Sequence, residues 1–179
     1  MMRFRESSWA AFLWNDTHMS WLWLVLRLYL GYQWLAAGLE KLASPAWGSG
    51  RVIYGFWKQA VALPKPPARP LIAYGWYRGF LVGLLHGGHG LWVFFAGLIA
   101  WGEVLVGVFL VLGLVTGIAA FAGAFMNFNY MLAGSASTNP VLFLLAVILM
   151  LAWKTAGYWG LDRWVLPALG MRGERTAGG

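Results

Sequence analysis

The chain has 179 residues, of which 60% are hydrophobic, 17% aromatic and only 11% charged. Because soluble domains carry about 25% charged residues, this composition excludes an ordinary soluble domain. It predicts a single integral membrane bundle with room for about four helices that cross the bilayer. The formal net charge is +7, but the basic residues are scattered singly, which argues against nucleic acid as a partner. The chain has no cysteine, which excludes disulfides, thiol catalysis and iron–sulfur clusters.

Residues 21–42 predict the first membrane-spanning helix, since about 20 apolar residues are enough to cross a hydrocarbon core. Steps of three and four residues place two cations, two glycines and a tryptophan on one face of this helix: Arg27, Gly31, Trp34, Gly38 and Lys41. We expect this face to contact other helices, because glycines allow close backbone approach and a cation inside a membrane needs a partner.

A long aromatic connection follows at residues 43–90 and contains five of the seven prolines. Its first part, residues 50–63, has apolar residues at helical spacing and is predicted to lie as a helix on the membrane surface. The proline-rich residues 64–70 predict an extended segment. Residues 71–85 have the composition of an aromatic belt, so the connection is expected to be partly interfacial.

Three further spans are predicted at residues 91–112, 117–132 and 141–159. The second and third are separated by a short break, and the fourth begins after Asn139-Pro140, a good helix start. The fold class is therefore predicted as all-α, an integral membrane four-helix bundle that forms one domain over residues 1–179.

Counting residues from the end of the bundle that carries the connection places Arg27 and Glu103 at similar depths. Glu103 is the only acid deep inside a predicted span, so we expect it to form a buried salt bridge with Arg27. Such a pair could merely set helix register, or it could handle protons or bind a ligand. Lys154 could share this level or extend its side chain to the interface.

Asn127 and Asn129 are predicted near the level of Gln33 and Lys41, in a second and mostly neutral polar layer. They are about 200° apart on a helix, and the small residues that precede Asn127 favour Asn127 as the one that faces the core. His86 and His89 have no neighbouring cysteine or acid, so we predict no metal site and no covalently bound cofactor.

Three stretches resemble the DoxX/DoxD family of small four-helix membrane proteins. They are RLYLGYQWLAAGLEKL (27–42), GEVLVGVFLVLGLVTGIAA (102–120) and NFNYMLAG (127–134). Family members include the membrane subunit of thiosulfate:quinone oxidoreductase, and the long connection resembles the DoxD-like branch. The resemblance implies that Arg27, Lys41, Glu103 and Asn127 are the polar residues of functional interest.

These residues suit a quinone site, which needs an apolar slot, hydrogen-bond donors and a proton-exchanging group. Trp34 and the glycines could form the slot, Arg27 or Asn127 could donate hydrogen bonds, and Glu103 could relay protons. We therefore predict a redox subunit that passes electrons from a small reductant, such as thiosulfate, to quinone. Arg27 and Glu103 would be catalytic, whereas Trp34, Lys41 and Asn127 would bind the quinone.

A non-catalytic anchor or assembly subunit of a larger redox complex is the alternative, and a small transporter is disfavoured because no inverted repeat is visible. The expected partners are the lipid bilayer, quinone, and another subunit or a second copy of the chain.

Basic residues are balanced between the two faces of the predicted bundle, so the positive-inside rule gives no orientation. One face carries Arg3, Arg5, Arg163, Arg172 and Arg175, and the other carries Arg51, Lys58, Lys65, Arg69 and Arg78. The DoxD-like resemblance favours a cell-membrane protein with both termini in the cytoplasm.

Overall fold

A computed structural model describes residues 7–171, which form helices and turns without any strand. The all-α prediction is therefore confirmed over this part of the chain. The terminal segments 1–6 and 172–179, which contain four of the arginines counted above, lie outside the described residues. The α-helices are α1 (Ser8–Asn15), α2 (Ser20–Ala43), α3 (Pro45–Gly48), α4 (Arg51–Ala60), α5 (Gly75–His86), α6 (His89–Leu112), α7 (Thr116–Leu132), α8 (Asn139–Leu151), α9 (Trp153–Ala156) and α10 (Asp162–Ala168).

Four long helices, α2, α6, α7 and α8, pack together around one apolar core. Its buried side chains come from all four helices and include Trp23, Leu30, Leu110, Ala120 and Leu149. Three of the predicted helices match α2, α6 and α7 closely. The fourth is shorter than predicted, because α8 ends at Leu151 and the chain turns at Ala152 before the single turn of α9.

Glycines set the close contact between α2 and α6. A Cβ atom added to Gly38 would lie 2.7 Å from the backbone nitrogen of Val104. A Cβ on Gly31 would lie 2.8 Å from Val111 Cγ2, and one on Gly107 would lie 2.5 Å from the backbone nitrogen of Leu35. No larger residue fits at these positions without a shift of backbone, so the predicted face of α2 does contact another helix.

The connection forms three helices at one end of the bundle, which we call the connection end. Ile53, Trp57 and Ala60 of α4 are buried, and Trp57 meets Phe95 of α6 with ring centroids 5.6 Å apart. The apolar face of α4 therefore packs on the protein, which the sequence analysis did not predict, and the position of this helix at a membrane surface stays a prediction. Residues 71–85 include most of α5, which the aromatic composition did not identify as a helix.

Among the described helices, α6 alone is long and apolar enough to cross a membrane by length and composition, so a bundle of four spans stays a prediction. One-third of the residues in its most apolar window are buried inside the protein. Helix α8 is apolar but has only 13 residues, fewer than the roughly 20 that a helical crossing takes.

Candidate functional site

A buried carboxylate lies between two polar side chains near the connection end. Glu103 of α6 accepts a hydrogen bond from the Lys41 ammonium of α2, with 2.7 Å between Nζ and Oε2. It accepts a second from the Tyr130 hydroxyl of α7, with 2.7 Å between the hydroxyl oxygen and Oε1. We call these three residues the Glu103 cluster. Both carboxylate oxygens therefore have a strong donor, which offsets the cost of burying the charge.

Lys41 connects the buried carboxylate with the surface. Its side chain is 24% exposed, against 2% for that of Glu103. The ammonium group also lies over the ring of Trp47, 5.2 Å from its centroid, and the Trp47 indole donates to the carbonyl of Ala96. A chain of polar groups thus runs from Tyr130 through Glu103 to the surface at the connection end.

The predicted salt bridge between Arg27 and Glu103 is wrong. The Arg27 guanidinium donates instead to backbone carbonyls, at 3.0 Å to Leu110, 3.4 Å to Val111 and 3.3 Å to Trp159. The depth count took the start of α6 to be level with the end of α2. In the fold, the first turns of α6 extend past that end and pack against α3, α4 and α5. Arg27 therefore lies at the far end of α6, and Glu103 lies opposite the last turns of α2.

Arg27 belongs to a second polar arrangement, which holds the turn between α6 and α7. Two of the three carbonyls that it binds, those of Leu110 and Val111, lie at the C-terminal end of α6, where a cation is favourable. Asp162 accepts hydrogen bonds from the backbone nitrogens of Val115 and Thr116 at the start of α7, at 2.6 and 2.9 Å. A carboxylate is favourable at such a helix N-terminus. We call Arg27 and Asp162 the turn clamp.

A cavity of about 1080 Å³ lies beside the Glu103 cluster. Its walls come mainly from α6 and α7, with Gln33, Trp34, Ala37 and Lys41 from α2 and aromatic residues of α4 and α5 at the connection end. Most of the lining is apolar, and the charged groups that reach it in the described structure are Lys41 and Glu103. Such an apolar space with a few convergent polar groups is typical of a site for a small organic ligand.

Two buried polar groups on the cavity wall lack a hydrogen-bond partner within the described part of the chain. Asn127 is fully buried, and neither its amide nitrogen nor its amide oxygen is paired. The indole nitrogen of Trp34 is likewise buried and unpaired. An unsatisfied buried polar group costs about 1–3 kcal/mol, so these groups call for a partner such as an ordered water or a ligand. Trp23 Nε1, Arg27 Nε and Thr116 Oγ1, which do not line this cavity, are also unpaired in the described structure.

Asn129 lies two residues further along α7 and differs from Asn127. Its amide nitrogen donates to the carbonyl of Phe125 in its own helix, and the Tyr77 hydroxyl of α5 donates to its backbone carbonyl at 3.0 Å. Burial raises the pKa of Tyr77 above its ordinary value, so this hydroxyl stays a neutral donor. The prediction that Asn127 rather than Asn129 faces the core is confirmed.

The structure brings four of the five predicted site residues to one cavity, namely Trp34, Lys41, Glu103 and Asn127. Arg27 is not among the residues that line it. Lys154 is exposed, as expected if its side chain extends to an interface. His89 bonds the carbonyl of Ser49 through its Nε2 atom.

Sequence reasoning missed Tyr130 and Asp162. Tyr130 could have been found, since it follows Asn127 by one helical turn and therefore faces the same side of α7. Asp162 follows the predicted spans, and no local pattern connects it with residues 115 and 116.

No protein-family model, curated protein or solved structure matches this chain. The resemblance to the DoxX/DoxD family therefore stays a prediction that depends on the stretches quoted above.

Proposed function

We propose that this protein is a multi-pass membrane protein whose cavity binds the head group of a quinone. In this proposal it is the membrane subunit of a redox system that passes electrons from a small reductant, such as thiosulfate, to quinone. The observation that carries the proposal is the pair of unpaired, buried polar side chains, Asn127 and Trp34, on the wall of an apolar cavity beside Glu103.

The distribution of exposed residues supports a membrane location. Large apolar side chains are exposed on all four long helices, for example Val25, Trp101, Phe121 and Leu144. Exposed apolar surface on every side of a bundle is costly in water and favourable in a bilayer. Exposed charged residues of the described structure lie towards the helix ends and in the connection, as Glu40, Arg51, Lys58 and Lys154 illustrate.

The groups in the cavity match the needs of a quinone head group. The ring needs an apolar slot, and its carbonyl oxygens need hydrogen-bond donors. The Asn127 amide and the Trp34 indole can each donate one hydrogen bond to such an oxygen. The indole of Trp34 packs beside Gly123, where an added Cβ would lie 2.9 Å from Nε1. The absence of a side chain at Gly123 therefore leaves the space that the indole occupies between α2 and α7.

Reduction of a quinone consumes two electrons and two protons, and the Glu103 cluster provides a path for the protons. Tyr130 donates to Glu103, and Lys41 links Glu103 with the surface. If thiosulfate is the reductant, two thiosulfate anions join through a new sulfur–sulfur bond and release the two electrons. Exposed basic residues of the connection, Arg51, Lys58, Lys65 and Arg69, would attract such an anion.

Replacement of Asn127 by leucine tests the proposal through two opposite effects. Since both polar atoms of Asn127 are unpaired in the described structure, Asn127→Leu should raise the free energy of unfolding by about 1–3 kcal/mol. It should also abolish binding of a decyl-tailed benzoquinone, measured with the purified protein in lipid nanodiscs.

Gln59→Leu is the matched control, because Gln59 is exposed on α4 and does not line the cavity. It should leave quinone binding unchanged. Binding that survives Asn127→Leu would contradict the proposed site. A wild-type protein that binds no quinone would favour the non-catalytic anchor instead.

Orientation is a separate part of the proposal, with the connection outside the cell and both termini in the cytoplasm. Single cysteines can be placed at Ser7 and Lys65, which are both exposed, in a chain that has no cysteine of its own. In intact cells, an impermeant thiol reagent should label position 65 and not position 7. Labelling of position 7 alone would reverse the orientation, and labelling of neither would contradict surface exposure of the connection.

A further inference from the structure

The connection carries charge of one sign only. Residues 43–90 contain five basic residues and no aspartate or glutamate, whereas a soluble segment of this length, about a quarter charged, would include several acids. None of the five forms a salt bridge within the described structure. Four of them are exposed: Arg51, Lys58, Lys65 and Arg69. The connection is therefore an electropositive surface that has no acidic partner of its own.

In the membrane location proposed above, this surface lies at the depth of the lipid head groups. Helix α6 has 24 residues, or about 36 Å at the rise of an α-helix, which exceeds a hydrocarbon core of about 30 Å. The ends of α6 therefore reach the head-group layers. Tyr54 of α4 packs on Trp92 in the first turn of α6, with ring centroids 4.3 Å apart. This contact holds α4 beside the head groups.

Helix α4 turns its basic side away from the protein. Its buried residues lie on one side of the helix, whereas Arg51 and Lys58 are exposed. These two residues are seven positions apart, or about two turns, and therefore lie on the same face. The Lys58 ammonium lies over the ring of Tyr54, 5.9 Å from its centroid. Its charge is therefore at the depth at which α4 contacts α6.

Exposed apolar side chains accompany the basic ones. Leu63 and Leu71 lie at the two ends of the proline-rich segment that carries Lys65 and Arg69, and both leucines are exposed, as is Trp76 of α5. Tryptophan is enriched at the interface between membrane and water, where basic residues meet the phosphates of anionic lipids. Together with the depth of α4, this composition favours anionic phospholipid over a soluble acidic protein as the partner.

We infer that the basic face of the connection binds the phosphate groups of anionic phospholipids in the leaflet that it faces. The inference rests on the membrane location proposed above and not on the quinone site. Each lysine or arginine near anionic lipid adds to the attraction, which falls off within about 8–10 Å. Arginine can also bind two phosphate oxygens through parallel hydrogen bonds. The protein should therefore retain anionic lipids in preference to zwitterionic ones.

Native mass spectrometry of the full chain, purified in detergent and titrated with lipid, tests this preference. The probe is phosphatidylglycerol, compared with phosphatidylcholine of the same acyl chains, and we expect tighter binding of phosphatidylglycerol. Arg51→Gln combined with Lys58→Gln should lower its affinity roughly 10–30-fold, since each basic side chain near anionic lipid contributes about 5-fold. Lys65→Gln combined with Arg69→Gln, in a different segment of the same surface, should cause a loss of similar size.

Lys154→Gln combined with Arg163→Gln is the matched control. Both residues are exposed, the variant loses the same amount of charge, and its substitutions lie outside the connection. It should keep the wild-type affinity for phosphatidylglycerol. Circular dichroism should show wild-type helix content in all three double variants, so that a loss of affinity reports the surface and not the fold.

Several results would overturn the inference. Equal affinity for the two lipids would do so, and so would equal losses in all three double variants, which would show an effect of net charge alone. Binding of thiosulfate but not of phosphatidylglycerol would assign the surface to the small anion, and binding of polyglutamate in its place would assign it to an acidic protein.

The inference and the proposed function can fail separately. A chain that stays in solution without detergent would overturn the membrane location and this inference together. A wild-type protein that prefers phosphatidylglycerol but binds no decyl-tailed benzoquinone would overturn the quinone site and support the lipid-binding surface.

Discussion

Helix α2 contributes one basic residue to each of two polar arrangements at opposite ends of the bundle. At the turn clamp, Arg27 binds backbone carbonyls and lies near the turn that Asp162 also holds. In the Glu103 cluster, Lys41 binds a carboxylate that faces a cavity. Both are charges on one face of one helix, and the sequence made them look like parts of the same site.

The partners of the two cations separate structure from function. The backbone carbonyls bound by Arg27 are fixed by the fold, so its contacts stabilise a turn. A smaller cavity of about 380 Å³ lies beside Thr116 and Asp162, and Arg27 Nε and Thr116 Oγ1 are unpaired in the described structure. The Glu103 cluster contains groups that can exchange protons, and unpaired Asn127 and Trp34 lie on the same cavity wall. Buried charge and unpaired polar groups occur in both arrangements, so what distinguishes the Glu103 cluster is a set of proton-exchanging groups beside the larger cavity.

The largest expected effect is on stability, from Arg27→Ala. The change leaves the carbonyls at the end of α6 without their donor and removes a cation that interacts with the charge of Asp162. A hydrogen bond from a charged donor is worth about 1.5–3 kcal/mol, and Arg27 makes three to carbonyls, so this variant should unfold at a much lower temperature, measured by circular dichroism in detergent.

Lys154→Ala is the control for this loss, because Lys154 is an exposed cation near the same end of the bundle. It should change the free energy of unfolding by about 0.5 kcal/mol or less. If Arg27→Ala were as stable as the control, the claim that Arg27 stabilises the turn between α6 and α7 would be wrong.

Glu103→Gln should affect turnover rather than folding. Glutamine keeps an oxygen that can accept from Tyr130, and partly exposed Lys41 can turn to water. The variant loses a titratable group, and general acid–base catalysis contributes about 10²–10⁴-fold to rate. Quinol formation with thiosulfate as donor should fall by that order.

Glu40→Gln is the matched control, since Glu40 is an exposed acid adjacent to Lys41. It should keep the wild-type rate. Full activity in Glu103→Gln would make Glu103 a structural residue, like Arg27.

The smallest effect is expected from two tryptophan-to-phenylalanine changes. Trp23 and Trp34 are both buried with an unpaired indole nitrogen in the described structure. Trp34 lines the cavity, whereas Trp23 stacks on Trp14 with centroids 5.4 Å apart. Trp34→Phe should weaken quinone binding by about 0.5–1.5 kcal/mol, the net worth of one hydrogen bond, and Trp23→Phe should not. Titration of decyl-benzoquinone into nanodiscs measures the binding affinity of each variant. An equal loss of affinity in the two variants would refute a specific role for the Trp34 indole.

Local pattern was enough to predict three of the four long helices, though not the helix α5 or the end of α8. Apolar runs bounded by glycine, proline and asparagine matched α2, α6 and α7, and the spacing of small residues identified Asn127 as the buried asparagine. Both properties depend on residues within a few turns of one another, so the sequence carries them directly. The same reasoning selected four of the residues that line the cavity.

Only the tertiary structure decided which charges meet. The partner of Glu103 depends on how far α6 extends past the end of α2, and this register is set by Gly31, Gly38 and Gly107 together with the packing of α4 and α5 on α6. Counting residues from the predicted helix ends does not reveal how far α6 extends past α2. For this reason the count predicted Arg27, rather than Lys41, as the partner of Glu103. Asp162 reaches residues 115 and 116 in the same way, through contacts between segments far apart in the chain. Sequence spacing therefore predicts which residues lie on one face of a helix. The relative shift of the packed helices determines which residues of the other helices contact that face.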